Sequence, residues 1–182
     1  VDELLWNLRW YLTMQDPADG GVYHKLTNLA FGGFVMPHEA TGPRYVVMKS
    51  TAATLDFASV TAMAYRLFAN DPSEELRALA ATCLESSDKA MKWASAHPDV
   101  IYRQPDDVST GAYGDGNLSD ELFWAQAETA LAHAKVPGEG FLDGVPGCSV
   151  RRTRWNPRRS RELIGARRGN TTRQFVRCVL YE

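Results

Sequence analysis

The chain has 182 residues, 45% hydrophobic and 23% charged, a composition typical of one globular domain and not of a disordered chain. Its longest apolar runs are far shorter than the roughly 20 residues that a membrane-spanning helix needs, so no membrane partner is predicted. Three widely spaced cysteines without a CxxC pair indicate neither a disulfide framework nor a zinc ribbon.

The first helix is predicted over Asp2 to Gln15, where leucines recur at helical spacing until the stretch QDPADGG ends the pattern. Residues 16–50 are rich in Gly and Pro and lack sustained periodicity, which predicts a long loop with short strands. The second helix, over Thr51 to Ala69, is apolar on nearly every face. We therefore expect it to be buried all round.

The third helix is predicted to have Asp71 as its N-cap and to end near Ala96. A second irregular segment, residues 97–118, follows it. Ser119 is then predicted to cap a fourth helix that runs to about Ala134. Its first turn is acidic, which suits the positive end of a helix dipole.

These element lengths predict where the two long loops lie. If the four helices pack as antiparallel neighbours, loops 16–50 and 97–118 leave the array at one end and the short connection between the second and third helices leaves it at the other. Long irregular loops in a compact domain usually carry function. A cleft lined by His24 and Tyr113 is therefore predicted at the loop end.

His24 lies in GGVYHKL, where an imidazole beside a tyrosine suits hydrogen bonding to a polar, flat-faced ligand. A surface or packing histidine explains the same pattern. Tyr113 lies in TGAYGDGN, where glycines let the backbone approach a ligand closely, although a simple glycine-rich turn fits equally.

Asp120 and Glu121 open the fourth helix, where they can serve as dipole-compensating acids or as hard oxygen ligands for Ca²⁺. The spacing of the preceding Asp115 and Asn117 imitates the start of an EF-hand loop. Asp120, however, occupies the position at which that loop requires Gly, so an EF-hand is rejected. The chain contains no P-loop, GxGxxG or GxSxG motif.

Four stretches resemble the catalytic domain of glycoside hydrolase family 9, the endoglucanase and cellulase family. They occur in the family's order between Asp2 and Glu128, and they are DELLWNLRWYLTMQD, GGVYHKLT, RYVVMKSTAATLDFASVTAMAYRLF and TGAYGDGNLSDELFWAQAE. The resemblance implies an all-α fold that is part of an (α/α)6 barrel, built of antiparallel helical hairpins with long cleft-forming loops at one end.

The chemistry that the resemblance implies is hydrolysis of β-1,4-glucan with inversion. An Asp of an Asp-Ala-Gly-Asp motif activates water, and a distant Glu protonates the leaving oxygen. The first motif is expected upstream of Val1, and the second beyond the point at which the resemblance ends. We therefore assign no catalytic residue and expect this chain alone to be inactive.

The resemblance also implies roles for four residues of this chain. His24 matches a cleft histidine that binds glucosyl hydroxyls, and Tyr113 matches a cleft tyrosine near the cleavage subsite. Asp120 with Glu121 resembles an acidic pair that ligates a structural Ca²⁺ in several members. The chemistry itself requires no cofactor.

After Glu128 the resemblance ends, and residues 129–182 are predicted to form a divergent tail, first rich in Gly and Pro and then in Arg. Residues 1–150 carry 10 basic and 20 acidic side chains, whereas residues 151–182 carry 10 Arg and 2 Glu. Three origins fit such a tail: a shifted reading frame, a solvated disordered end, or an added basic segment that binds nucleic acid.

We therefore predict an internal fragment, residues 1–128, of an endo-β-1,4-glucanase whose partner is β-1,4-glucan and not nucleic acid. The parent enzyme is expected to be extracellular, with its signal peptide upstream of this chain, because the chain starts without Met or a cleavage site. Two alternatives stay open: a noncatalytic helical module that binds polysaccharide, and an intracellular helical protein with a nucleic-acid-binding tail.

Overall fold

The computed structural model describes residues 1–134, and the architecture of this part is helical. Its helices are α1 (Asp2–Leu12), α2 (Thr51–Phe68), α3 (Glu74–Ala96) and α4 (Ser119–His133). Along residues 1–134, none of them is long and apolar enough to cross a membrane. The predicted boundary at Glu128 stays a prediction, and the tail beyond Ala134 lies outside the described residues.

The long loop between α1 and α2 contains the short strands that its sequence predicts. Strand β1 (Leu26–Thr27) pairs antiparallel with β2 (Tyr45–Val46), with Leu26 opposite Val46. A short 3-10 helix, Pro37–Glu39, lies between the two strands. The pairing folds residues 16–50 back onto the start of α2.

Helix α2 lies at the centre and packs against the other three helices. Phe57 of α2 is completely buried, and its ring centroid lies 5.1 Å from that of Tyr11 in α1. Phe68, near the other end of α2, clusters with Leu8 of α1 and Cys83 of α3. We call the packed helices α1 to α4 the helical layer. Burial of these apolar side chains is the main favourable contribution to its folding.

Three buried hydroxyl groups of α2 find partners along the same segment of chain. Thr54, Ser59 and Thr61 each donate a hydrogen bond to the carbonyl four residues earlier, at 2.7 to 2.9 Å. Ser87 of α3 donates instead to the carbonyl of Ala58 in α2, at 2.8 Å. Because each hydroxyl is satisfied, these polar residues are tolerated in an otherwise apolar core.

Two predicted N-caps are wrong by one or two residues. The cap of α3 is Ser73, whose hydroxyl accepts a backbone N–H from the first turn, while Asp71 accepts the amide of Ser73 at 2.8 Å. Ser119 is the first residue of α4 and not its cap. Its hydroxyl donates to Asn117 at 2.7 Å, a local turn that competes with capping.

The first helix is shorter than predicted, since it ends at Leu12 and not at Gln15. Backbone bonds tighten there to i to i−3 spacing, from Thr13 to Trp10 and from Met14 to Tyr11. Gln15 then forms an isolated antiparallel bridge, so the chain leaves α1 as extended backbone.

The prediction that the second helix is buried all round is also wrong in part. Met63 is 43% exposed and Leu67 is 62% exposed. Both line an apolar groove of about 830 Å³ between α1, α2 and α4, together with Leu4, Trp10 and Trp124. Within residues 1–134 no further element covers this side of the helix.

Candidate functional site

Strand pairing sets the position of His24. The backbone amide of His24 donates to the carbonyl of Met48 at 3.0 Å, and the preceding Tyr23 forms an antiparallel bridge with Lys49. Ser50 follows directly as the N-cap of α2, with its hydroxyl accepting the amide of Ala53 at 3.2 Å. The imidazole therefore lies at the start of the central helix.

The His24 ring joins the two long loops. Its plane stacks on Tyr102 of the second loop, with centroids 3.8 Å apart and an angle of 5° between the planes. Its Nδ1 lies 2.8 Å from the Ser50 hydroxyl, and its Nε2 is hydrogen-bonded to the carbonyl of Tyr113. The predicted meeting of loops 16–50 and 97–118 at one end is thus observed in the structure.

Burial lowers the pKa of His24. The positive charge of the neighbouring Lys25 lowers it further, and the Tyr113 carbonyl opposes both effects in part. The ordinary value of a histidine is about 6.5. Neutral imidazole is therefore the form present near pH 7.

Lys25, which directly precedes β1, holds the second loop through its side chain. Its ammonium donates to Gln104 Oε1 at 3.0 Å, to Thr110 Oγ1 at 3.3 Å and to the carbonyl of Gly111 at 2.6 Å. These three acceptors match the three N–H donors of an ammonium. All three belong to the second loop, so Lys25 connects the segment before Tyr113 to the first loop, beside the hydrogen bonds of Thr27 with Thr110 and of Ser109 with Leu29.

Gln104 orders the second loop from within. Its Oε1 also accepts the Tyr102 hydroxyl at 2.5 Å, and its Nε2 donates to the carbonyls of Val108, at 2.8 Å, and Thr110. The position of the Tyr102 ring, and hence of His24 stacked upon it, is coupled to the Lys25 contacts through this one side chain.

Tyr113 turns its carbonyl towards His24 and its side chain outwards. The side chain is 72% exposed. It lies so close to Gly111 that a Cβ there would be only 2.7 Å from the Tyr113 hydroxyl oxygen. A side chain at position 111 would therefore displace the Tyr113 ring from this position, in which its ring and hydroxyl are available at the surface.

A cavity of about 320 Å³ lies beside the His24 ring, between α1, β1 and the start of α2. This volume is at the lower end of the range for small-molecule sites. Its lining combines aromatic, cationic and acidic side chains, including Trp10, Tyr11, Tyr23, His24, Lys25 and Asp56. Aromatic faces beside a few polar groups suit a polar ligand with flat apolar faces.

A second lysine supports the turn that precedes His24. Lys49 forms ion pairs with Asp16 at 2.6 Å and Asp19 at 2.8 Å. Gly20, which follows, has a φ of 86° and packs against the backbone of Lys89 in α3. The turn therefore depends on a residue without a Cβ and on a charged cluster.

Asp120 and Glu121, the predicted metal pair, lie in the first turn of α4 near Asp56 of α2. Burial raises the pKa of Glu121, and the charges of Asp120 and Asp56 add to this. Burial and Asp120 raise the pKa of Asp56 in the same way. One Glu121 oxygen is buried without a hydrogen-bond partner in the described part of the chain.

Sequence reasoning missed several residues of this site. Tyr102 and Ser50 surround the His24 ring, and Lys25 with Gln104 fixes the loop. Lys25 and Ser50 lie within stretches that resemble the family, but no pattern in the sequence indicates the contacts of these residues. The sequence does indicate that Asp56 is unusual, because Asp56 and Arg66 are the only charged residues in an otherwise apolar helix. An isolated acid in a buried helix usually has a partner or a function.

Comparison with known proteins shows to which protein family this arrangement belongs. A sequence model of glycosyl hydrolase family 9 matches residues 1–148, which include all four helices and both long loops. The chain belongs to glycosyl hydrolase family 9. The resemblance noted in its four sequence stretches is thereby confirmed.

Two relatives illustrate the similarity within family 9. A xyloglucan-specific endo-β-1,4-glucanase of Bacteroides ovatus is 45% identical over 142 residues, which is 74% of this chain and 24% of that protein. Endoglucanase D of Acetivibrio thermocellus is 36% identical over 130 residues, which is 70% of this chain and 20% of that protein. The chain thus spans about a quarter or less of these relatives.

Solved structures of family 9 superpose on this chain. A Bacteroides ovatus GH9 structure superposes with a TM-score of 0.69 at 41% identity, covering 82% of this chain and 28% of that one. AaCel9A in complex with a cellobiose-like isofagomine gives a TM-score of 0.65 at 36% identity, covering 69% and 23%. The helical class of the described residues is confirmed by these similarities.

Proposed function

We propose that this chain forms part of the substrate cleft of an endo-β-1,4-glucanase of family 9. The observation that carries the proposal is the contact between His24 and Tyr113, which brings two distant loops together beside a cavity lined by aromatic side chains. The relatives named as endoglucanases and the solved complex with a cellobiose-like compound support β-1,4-glucan as the substrate class.

In this proposal, His24 and Tyr113 bind the sugar. Glucosyl hydroxyls both donate and accept hydrogen bonds, so they can pair with an imidazole nitrogen and with the Tyr113 hydroxyl. The exposed Tyr113 ring and the rings lining the cavity offer flat faces against which the C–H face of a pyranose can pack.

Hydrolysis with inversion needs two carboxyl groups roughly 6.5 to 9.5 Å apart, one on each side of the scissile bond. Within residues 1–134, no carboxylate is hydrogen-bonded to the His24 ring, which contacts Ser50, Tyr102 and Tyr113. Asp120 and Glu121 are better explained by the start of α4. We therefore expect the catalytic pair to come from other parts of the full catalytic domain.

The test is a complete family 9 catalytic domain that carries residues 1–134 of this chain, assayed on carboxymethyl cellulose and on xyloglucan. We expect His24→Ala to lower kcat/KM on the preferred glucan, while the control His133→Ala, on the exposed end of α4, leaves it unchanged. Equal activities of both variants, with folding intact, would contradict the assignment of His24 to the cleft.

The 182-residue chain by itself is expected to bind glucan without cleaving it. Turnover of carboxymethyl cellulose above that of a denatured control would show that the chain is catalytically complete. Binding without turnover even in the completed domain would favour the noncatalytic polysaccharide-binding module. Binding of the chain to nucleic acid would favour the third possibility, that of a basic-tailed intracellular protein.

Ca²⁺ at Asp120 and Glu121 is the second part of the proposal. A cation there would partner the buried Glu121 oxygen and offset the burial and the neighbouring Asp120 and Asp56 charges that together raise the pKa of this residue. In the described part of the chain, no three His, Cys, Asp or Glu side chains form a metal-ligand group, so carbonyls and waters would have to supply the remaining oxygens. The ion would fasten the glycine-rich loop to α4.

Calcium binding is tested by thermal unfolding of the protein with added calcium and with chelator. A ligand that binds only the native state stabilises it by about 2.7 kcal/mol at a hundredfold excess over Kd. Asp120→Asn with Glu121→Gln should abolish the difference. A melting temperature that responds to neither calcium nor chelator leaves these residues with the helix-dipole role alone.

The predicted location of the parent enzyme follows from the same substrate class. Cellulose and related β-1,4-glucans are polymers too large to cross a membrane, so an enzyme that cleaves internal bonds would act outside the cell. Detection of the parent enzyme in the culture medium of its source would support this localisation, and confinement to the cytoplasm would contradict it.

A further inference from the structure

The two nitrogens of the His24 ring face partners of opposite hydrogen-bonding character. Nε2 faces the carbonyl oxygen of Tyr113, which can only accept, so this nitrogen must carry a proton. Nδ1 faces the hydroxyl of Ser50, which can donate or accept, at 2.8 Å.

The second contact of Ser50 settles the direction of its own hydrogen bond. Its hydroxyl oxygen already accepts the backbone amide of Ala53 as the N-cap of α2, at 3.2 Å. The hydroxyl proton is then free to point at Nδ1, the nearest acceptor. Ser50 is completely buried, so solvent does not compete for that proton.

We propose that Ser50 is a positioning residue that holds His24 as a neutral imidazole with its proton on Nε2, so that the cleft presents an N–H donor to the sugar. This inference rests on the proposed function for its ligand, since it takes a glucan hydroxyl as the oxygen that competes with the Tyr113 carbonyl for the Nε2 proton. When a sugar displaces that carbonyl, Ser50 alone keeps the proton on Nε2.

The surroundings of the ring favour the neutral form. Lys25 carries a positive charge beside it, Tyr102 stacks on its face, and burial disfavours an imidazolium. Within the described residues, no carboxylate is hydrogen-bonded to either nitrogen. A hydrogen bond from Ser50 to the unprotonated Nδ1 stabilises the same neutral form.

His97 provides an internal reference of opposite kind. Its Nδ1 lies 2.9 Å from the carbonyl of Trp93, an acceptor, so its neutral ring must carry the proton on Nδ1. The same chain is therefore expected to show both tautomers, one at His24 and the other at His97.

The test is ¹⁵N NMR of the full chain with labelled histidine, in which the shifts of the two ring nitrogens distinguish protonated from bare nitrogen. We expect Nε2 of His24 to be protonated and Nδ1 bare at neutral pH, with the reverse at His97. Protonation of Nδ1 of His24 in the neutral ring of the unaltered chain would overturn the proposal without any variant.

Variants separate tautomer control from helix capping. Ser50→Asp keeps an N-cap acceptor but cannot donate to Nδ1, so Nδ1 should become protonated and the pKa of His24 should rise. Ser50→Ala should raise the pKa less, through loss of the donor. Ser73→Ala, which removes the corresponding cap of α3, should leave His24 unchanged.

The two Ser50 variants overturn the inference if His24 keeps its wild-type tautomer and pKa in both. If neither variant folds, the wild-type spectrum and Ser50→Thr, which retains the hydroxyl and should retain the tautomer, still decide the question. A Ser50→Thr protein with the proton moved to Nδ1 would count against it.

Cellotetraose is the probe that distinguishes this inference from the proposed function. We expect it to shift the Nε2 resonance of His24 while that nitrogen stays protonated. No response to cellotetraose with the tautomer as expected contradicts the proposed function and leaves the role of Ser50 standing. A response with the proton on Nδ1 contradicts the role of Ser50 and leaves the proposed function standing.

Discussion

In the helical layer, the buried side of α2 packs against apolar side chains of α1, α3 and α4. The loop end, residues 16–50 and 97–118, is instead joined mainly by hydrogen bonds of a few polar and charged residues. Apolar burial is non-directional, and many residues contribute to it. The contacts of Lys25 and His24 are directional, and each depends on one side chain. Damage to the layer should therefore unfold the domain, while damage to the loop end should alter the site and leave the layer folded.

The largest effect is expected from Phe57→Ala in the layer. Loss of this buried ring removes its contact with Tyr11 and leaves a cavity, which costs about 3–5 kcal/mol of unfolding free energy. Phe31→Ala is the matched control, because Phe31 lies in the loop end and is 74% exposed. Chemical denaturation measures both changes; equal destabilisation by the two would remove the distinction between the regions.

Lys25→Met should have the next largest effect, confined to the loop end. Hydrogen bonds from a charged group contribute about 1.5–3 kcal/mol, and three are lost here. Hydrogen exchange should speed up at the Ser109 amide, which donates to Leu29 across the two loops at 2.7 Å. Amides within α2 should keep their protection.

Lys92→Met is the control for that experiment, because Lys92 is exposed on α3. It should change neither amide exchange at Ser109 nor the stability of the chain by more than about 0.5 kcal/mol. If Lys25→Met also lowers protection throughout α2, then the loop end is not independent of the layer.

Tyr113→Phe tests the loop end by function. In a completed family 9 domain it removes one neutral hydrogen bond, worth about 0.5–1.5 kcal/mol, or roughly 2- to 12-fold in kcat/KM on β-1,4-glucan. Unfolding free energy should stay the same, since the Tyr113 side chain is exposed. An unchanged kcat/KM would exclude this hydroxyl from sugar binding.

The smallest expected effect is the pH dependence of the unfolding free energy, which has opposite signs in the two regions. Hydrogen bonds from Lys49 lower the pKa values of Asp16 and Asp19, so their contribution is present above pH about 4 and is lost as pH falls through the lowered values. Burial raises the pKa of Asp56, so its carboxylate penalises the native state at neutral pH, and stability rises as pH falls through that raised value.

Two variants separate these contributions in urea unfolding measured from pH 7 to pH 3. Lys49→Met should remove the loss of stability on the acid side, and Asp56→Asn should remove the gain that precedes it. A pH profile unchanged by Lys49→Met would mean that the ion pairs of Lys49 do not stabilise the native turn.

The same contrast explains what the sequence could predict. Repeating apolar positions and breakers such as Pro17 are local signals, and they predict all four helices and both long loops. The caps of α3 and α4 were misplaced because Asp71 and Ser119 form local turns that compete with capping. The exposed face of α2 was missed because composition does not show what packs on a helix.

At the site, the meeting of His24 and Tyr113 could be predicted, since loop order places both at one end. Their sugar-binding role stays a prediction. Ser50, Tyr102 and Gln104 could not be predicted, because their contacts with His24 and Lys25 join residues up to 79 positions apart in the chain. Such contacts depend on strand register and loop geometry, for which no periodic pattern exists.

The proposed function depends above all on binding of β-1,4-glucan at the loop end. The most direct test is titration of the isotope-labelled chain with cellotetraose, followed by NMR at every assigned residue. We expect shifts at His24, Tyr102 and Tyr113, and none at the turn between α2 and α3, residues 69–73, at the opposite end. Shifts that centre instead on Met63 and Leu67 in the apolar groove, with the three loop residues unchanged, would contradict it.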